Sequence, residues 1–148
     1  VIACNAAISA CEMAAQWQIA LAFFRSMPGL RLVPDVISCS AAISACEKGT
    51  QWQLALMLLR SMSGLQLVPD VVTFNAAISA CEKAAHWQLA LAIFCGMPSL
   101  QLEPSVTSCC AAISACEKAA QWQTALAIFS SMPGLRLEPD VICCCAAI

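Results

Sequence analysis

The sequence predicts an all-α solenoid built from 35-residue helix-turn-helix repeats. Two observations predict it: landmark residues recur every 35 residues along the whole chain, and apolar residues within each interval follow helical spacing. We divide the chain into repeats 1–35, 36–70, 71–105 and 106–140, followed by a partial repeat, 141–148. The landmarks are Trp17, Trp52, Trp87 and Trp122, with Pro34, Pro69, Pro104 and Pro139.

Each repeat reads as two helices. In the second repeat, Val36, Cys39, Ile43 and Cys46 are three or four residues apart, which is typical of one apolar face of a helix, and a second helix with the same spacing starts at Trp52. The second helices end where Pro or Gly follows a methionine, because proline cannot continue a helix. Neither helix can bury its apolar face alone, so neighbouring hairpins must stack.

The composition raises the possibility of a membrane protein. Hydrophobic residues make up 61% of the 148 residues and the mean hydropathy is +0.78. Polar and charged residues nevertheless interrupt every apolar stretch before it could span a bilayer, so we expect no membrane segment. Because the chain starts at Val1 and stops at Ile148 inside a motif that is complete elsewhere, we expect it to be a fragment of a longer protein.

The twelve cysteines are expected to be apolar core residues. Most recur at equivalent places in the repeats, beside Ala and Ile, which favours packing over disulfides. We therefore expect a reducing compartment. The only histidine, His86, occupies a place held elsewhere by Gln, and no Cys-x-x-Cys pair is present, so we expect no metal and no other cofactor. The recurrent cysteines are Cys11, Cys46, Cys81 and Cys116, with Cys4, Cys39, Cys109 and Cys144.

Two variable places stand out against a constant frame. The segment Ala-Ala-Ile-Ser-Ala-Cys-Glu occurs unchanged in all four repeats, at 6–12, 41–47, 76–82 and 111–117. The residue just before it varies, as does the last residue of the repeat. Both places lie near the start of a first helix, so they should line one face of the solenoid. Small polar residues there suit unit-by-unit recognition, although neutral drift at a solvent-facing helix end would give the same pattern.

These features resemble the pentatricopeptide repeat. The third repeat carries Val71-Val-Thr-Phe-Asn75-Ala-Ala-Ile, then Ala90-Leu-Ala-Ile-Phe94 and Met97, and the repeats close on Pro-Asp before the next Val. The resemblance extends over the whole chain. It implies a right-handed superhelix whose first helices line the concave face and bind single-stranded RNA, one base per repeat. It also implies a mitochondrial or plastid location and a role in RNA processing, stability, editing or translation, with possible protein partners.

The resemblance also assigns roles to residues. The fifth and last residues of a repeat would read the base, and the second residue would sandwich it. Asn5 with Asp35 resembles a uracil reader, and the second and third pairs resemble guanine and cytosine readers. The fourth pair departs from the usual combinations because a thiol is a weak hydrogen-bonding group. The remaining base-reading residues are Ser40 with Asp70, Asn75 with Ser105, and Cys110 with Asp140; the sandwiching residues are Ile2, Ile37, Val72, Thr107 and Ile142.

Three lysines, Lys48, Lys83 and Lys118, match a phosphate-contacting place of the family. They could instead pair with the glutamate that precedes each of them. The net charge of −2 is unusual for a protein that binds a polyanion. An alternative function is therefore a protein–protein interaction adaptor built from tetratricopeptide-like repeats. An enzyme is not expected, because no nucleophile–base pair and no phosphate-cradling Gly loop are visible.

Overall fold

The computed structural model is a helical solenoid, as the sequence predicts, and it describes residues 1–140, 143, 144 and 146. Across these residues there are eight α-helices, three short 3-10 turns and no β-strand, and no helix is long and apolar enough to span a bilayer. The odd-numbered helices are the first helices of the repeats and the even-numbered ones are the second helices. Their bounds are α1 Ile2–Met13, α2 Trp17–Ser26, α3 Val36–Lys48, α4 Trp52–Gly64, α5 Val71–Lys83, α6 Trp87–Gly96, α7 Val106–Lys118 and α8 Trp122–Ser131.

Helix α4 is three residues longer than the other second helices, and one substitution explains it. After the shared methionine, repeats one, three and four carry proline, which starts a 3-10 turn, as at Pro28. The second repeat carries Ser63 instead. Because serine has the backbone N–H that proline lacks, the α-helix continues to Gly64.

The turn between the two helices of each repeat uses a left-handed residue that is not glycine. Thr50 has φ 56°, and the N–H of the next residue, Gln51, donates to the Cys46 carbonyl at 2.8 Å. This is the Schellman arrangement, in which the left-handed place usually belongs to glycine. The equivalent left-handed residues are Ala15, Ala85 and Ala120.

The first helices form a continuous inner row. Helix α1 packs on α3, α3 on α5 and α5 on α7, whereas no second helix in the described part of the chain packs directly on another second helix. This closer packing of the first helices favours the concave face predicted for them, which stays a prediction. Alanines 42, 77 and 112, all fully buried, allow the close approach of the inner helices.

The second helices form a more open outer row. A cleft of about 360 Å³ lies between α4 and α6, lined by Leu56, Arg60 and Leu89, with Phe74 of α5 among its lining residues. Two of the tryptophans that start these helices are half-buried against the next repeat. Trp17 contacts Gly49, and the Trp52 ring lies 4.1 Å from that of His86. Trp122 is 65% exposed.

Candidate nucleic-acid interface

The last residue of each repeat caps the first helix of the next repeat. Asp35 accepts a hydrogen bond from the Ser38 N–H at 2.8 Å, and Asp70 and Asp140 accept equivalent bonds at 2.8 Å. Ser105 makes the same contact at 3.2 Å. A side-chain oxygen here satisfies an N–H that the helix itself leaves free. These four side chains are therefore held at the helix starts by a backbone contact that does not depend on any ligand.

The predicted base-reading residues meet in pairs although they lie 30 residues apart. The Asn5 amide donates to both Asp35 carboxylate oxygens at 3.0 and 3.1 Å, and the Asn75 amide donates to Ser105 Oγ at 3.2 Å. In the fourth pair, Cys110 Sγ lies 3.3 Å from Asp140 Oδ1. In the second pair, no hydrogen bond joins Ser40 and Asp70 in the described structure. Asp70 Oδ1 instead accepts from the Thr73 hydroxyl at 2.6 Å.

The two asparagines among the predicted base-reading residues differ in whether the side-chain oxygen has a hydrogen-bond partner. Asn5 is buried and its Oδ1 has no hydrogen-bond partner among the described residues. The equivalent oxygen of Asn75 accepts a hydrogen bond from the Ser108 hydroxyl. An unpaired acceptor is costly when it is buried, so Asn5 is the member of the row that gains most from an N–H donated by a ligand.

The Asp35 carboxylate is held in its ionised form. Burial by itself would raise its pKa, but hydrogen bonds from the Ser38 N–H and hydroxyl and from the Asn5 amide outweigh burial and lower the pKa below the ordinary value of 3.8. At neutral pH, this predicted reading place therefore carries a negative charge.

The predicted sandwiching residues are exposed apolar side chains beside these pairs. Ile2 is 87% exposed, Ile37 63% and Val72 62%, and Thr107 is also exposed. Ile142 lies outside the described residues. Large aliphatic side chains recurring at one place on the concave row leave apolar surface in water that a flat ligand ring could cover.

The predicted phosphate-contacting lysines form ion pairs between repeats. Lys48 Nζ lies 3.1 Å from Glu12 Oε1, Lys83 2.6 Å from Glu47, and Lys118 2.6 Å from Glu82. Each partner is the glutamate of the preceding repeat, so the alternative of pairing with the glutamate next in sequence is wrong. The lysines remain partly exposed, and their contact with phosphate stays a prediction.

A third side chain completes each reading place, and the sequence reasoning missed it. The third residue of the following repeat lies 33 residues after the fifth residue of its neighbour. In the third pair this is Ser108, which bonds to Asn75; in the fourth it is Cys143, which forms a disulfide with Cys110. The expectation that the cysteines serve only as core residues is therefore wrong for this pair. A search for cysteines 33 residues apart would have found it.

The remaining cysteines fit the core prediction better. Cys39, Cys46, Cys81, Cys109 and Cys116 are buried without a disulfide partner, and burial raises the pKa of each thiol, to about 11 for the first three. A thiol of this kind carries little thiolate at neutral pH and is chemically inert. These five cysteines therefore behave as small apolar side chains.

The model for the pentatricopeptide repeat domain matches two overlapping segments, residues 24–84 and 57–118. The chain belongs to the pentatricopeptide repeat family. No curated protein matches it. The family explains the repeat length and places the paired, capped and exposed residues above at equivalent points of successive pentatricopeptide repeats.

Solved pentatricopeptide repeat structures share the fold. The PPR domain of Arabidopsis thaliana protein-only RNase P 1, solved in complex with tRNA, aligns with a TM-score of 0.84 and 12% identity over 95% of this chain and 74% of that one. PPR10 in complex with an 18-nt psaJ RNA element aligns with a TM-score of 0.77 and 19% identity, over 88% of this chain and 19% of that one. PPR10 from maize aligns with a TM-score of 0.62 and 17% identity, covering 97% of this chain and 26% of that chain.

Proposed function

We propose that this chain binds single-stranded RNA along its inner row of helices and reads one base per repeat. The observation that carries the proposal is the meeting of the fifth and last residues at three of the four junctions, as in Asn5 with Asp35 and Asn75 with Ser105. A polar pair beside an exposed aliphatic side chain offers what an unstacked base needs: hydrogen-bonding partners for its edge and an apolar surface for its ring.

The first junction, Asn5 with Asp35, supports the reading of uracil most directly. The Asn5 Oδ1 is an acceptor without a partner among the described residues, and the Asp35 carboxylate is ionised, so the site offers acceptors. Uracil presents an N3–H on its Watson–Crick edge, which can donate to such an acceptor. The solved relatives in complex with tRNA and with psaJ RNA bind RNA with the same fold, which adds to the proposal.

The charge pattern sets how strongly salt affects binding. Because Lys48, Lys83 and Lys118, the basic residues of the described inner helices, already pair with glutamates, few cations of this row are free to release counterions from RNA. Base contacts then supply a larger share of the affinity than phosphate contacts. We propose a non-catalytic role in organellar RNA processing, in which the chain selects a sequence on which other proteins act.

Exchange of one reading place for another tests the proposal. The double change Ser40→Asn with Thr73→Ser copies Asn5, Asp35 and Ser38 onto the second junction, because it replaces Thr73, whose hydroxyl donates to Asp70, with the serine found at position 38. We expect the preference at one RNA position to move from guanine toward uracil, by about 1–3 kcal/mol, the worth of one good base-edge contact. Selection of bound oligonucleotides from a randomised single-stranded pool measures it.

The matched control is Ser61→Asn, on the outer helix α4 and away from the inner row. It should leave the base profile unchanged, and all variants should melt like the parent in circular dichroism. An unchanged base profile in the double variant would show that the variable places do not read bases. If no oligonucleotide from the pool binds, or if duplex RNA binds equally well, RNA reading is excluded and a protein-binding adaptor becomes the better explanation.

A further inference from the structure

The fourth reading place differs chemically from the first three. Its fifth residue, Cys110, is joined by a disulfide to Cys143, the third residue of the next repeat, with the two Cα atoms 4.9 Å apart. Cys110 lies in helix α7, so the bond joins two successive inner helices. The same juxtaposition brings Asn75 to Ser108 one repeat earlier, where it produces a hydrogen bond. The register of the inner row therefore places these two sulfurs together.

The other two cysteines of α7 do not compete for this bond. Cys109 is fully buried and burial raises the pKa of its thiol, which suppresses the thiolate that exchange requires. Cys116, two helical turns further along α7, is buried in the same way. Cys110 is half-buried and borders the predicted reading place, whereas Cys143 is fully buried, so Cys110 is the sulfur of the pair that a small oxidant meets first.

We propose that Cys110 and Cys143 form a redox modification site, oxidised by a small-molecule disulfide of the glutathione class, that decides whether the fourth repeat reads its base. The inference rests on the proposed RNA-reading function. One thiol, as thiolate, attacks the small disulfide and releases one small thiol. The other then displaces a second small thiol from the mixed disulfide. The two protein thiols lose two electrons and two protons, which the small disulfide takes up as two thiols.

Reduction and oxidation present different groups to the RNA. In the reduced protein, Cys110 carries an S–H that can donate to Asp140 Oδ1, 3.3 Å away, as the Asn5 amide donates to Asp35. In the oxidised protein that hydrogen is absent and the sulfur is tied to Cys143. The Asp140 carboxylate also accepts the Cys143 N–H at 2.8 Å, the same cap that Asp35 and Asp70 make at junctions without a disulfide.

The bond itself is tested without RNA. The full chain is equilibrated in glutathione mixtures of increasing oxidation, with a chelator present because the two sulfurs and the Asp140 carboxylate could also hold a metal ion. Free thiols are then alkylated and peptides are mapped by mass spectrometry. We expect loss of alkylation at Cys110 and Cys143 together, with a linked peptide, while exposed Cys95 remains alkylated unless glutathione caps it singly. Failure to find the linked peptide at any mixture overturns the site.

The consequence for RNA is tested by selection from a randomised pool under reducing and oxidising conditions. We expect base discrimination at the position of the fourth repeat in the reduced protein and its loss in the oxidised protein. Cys143→Ser should fold, because serine already occupies that place as Ser108, but its exchange should stop at the mixed disulfide on Cys110 and give no linked peptide. Cys95→Ser, the matched control, should respond to oxidation like the parent.

A further variant separates a failed inference from a failed function. Cys110→Asn with Cys143→Ser copies Asn75 and Ser108 and cannot form the bond. It should discriminate among bases at this position by roughly 5- to 100-fold in either redox state, the range of one base-edge contact. If this variant discriminates while the parent gives the same base profile in both states, the redox site is wrong and RNA reading stands. If neither protein binds the pool, RNA reading fails, and with it the proposed control of reading.

Discussion

The inner and outer rows of helices are built from similarly apolar sequences but are buried differently. Along the inner row, Ile43, Ile78 and Ile113 are fully buried, and each first helix between two others packs on both neighbours. Along the outer row, Met57, Leu126 and Ile19 remain 42–50% exposed, and a cleft separates α4 from α6.

The difference in burial between the two rows explains which segments repeat without change. Ala-Ala-Ile-Ser-Ala-Cys-Glu forms the inner row, where small and large side chains must interlock with two neighbouring helices, so a change of one methyl group is felt. The second helices pack mainly on one side and tolerate variation, as in Arg25, Arg60, Cys95 and Ser130 at one equivalent place. Inner-row packing therefore fixes the positions of the first helices, while the predicted reading residues on them vary.

The largest expected effect comes from opening a cavity in the inner row. Ile78→Ala should lower the free energy of unfolding by about 2–5 kcal/mol, because the side chain is fully buried and its neighbours cannot fill the space. Met57→Ala, at a half-exposed outer place, should cost about 0.5 kcal/mol or less. Urea unfolding of both variants measures the comparison, and equal losses would show that the two rows are packed alike.

A smaller loss is expected where the two rows meet. A Cβ added at Gly49 would lie 2.2 Å from Trp17 Cδ1, so Gly49→Ala must displace the indole and should cost about 1–3 kcal/mol. Gly64→Ala is the matched control. Its added methyl meets nothing within 4 Å, and alanine is the better helix former, so it should stabilise by up to about 1 kcal/mol. Thermal melts that shift in the same direction for both variants would contradict the close Trp17 contact.

The smallest expected effect is a gain in stability, from a substitution in the turn that connects the two helices of a repeat. Thr50 is a β-branched residue at φ 56°, a conformation that glycine adopts without steric cost. Thr50→Gly should raise the free energy of unfolding by about 0.5–1 kcal/mol, after the entropic cost of glycine is included. Ala85→Gly, at the equivalent turn with φ 58°, should gain less because alanine is not branched. A loss of stability in Thr50→Gly would show that this turn is not strained.

Much of the architecture follows from local sequence. The first helix predicted in the second repeat from Val36, Cys39, Ile43 and Cys46 is α3, Val36–Lys48. Proline after methionine ends the second helices of repeats one, three and four. Serine in its place lengthens α4, the second helix of repeat two. Apolar spacing, caps and proline act within a few residues of the chain, so they can be read before any fold is known.

The sequence by itself determined the repeat length and the two helices of each repeat, and its resemblance to a family predicted the reading positions. Only the tertiary structure decided which residues of neighbouring repeats touch. Asn5 meets Asp35, Cys110 meets Cys143 and Glu12 meets Lys48, at separations of 30, 33 and 36 residues. These separations differ by about one helical turn each, because all three contacts follow from how one inner helix is registered on the next. That register depends on alanine-mediated packing between helices, and a repeat period alone cannot supply it.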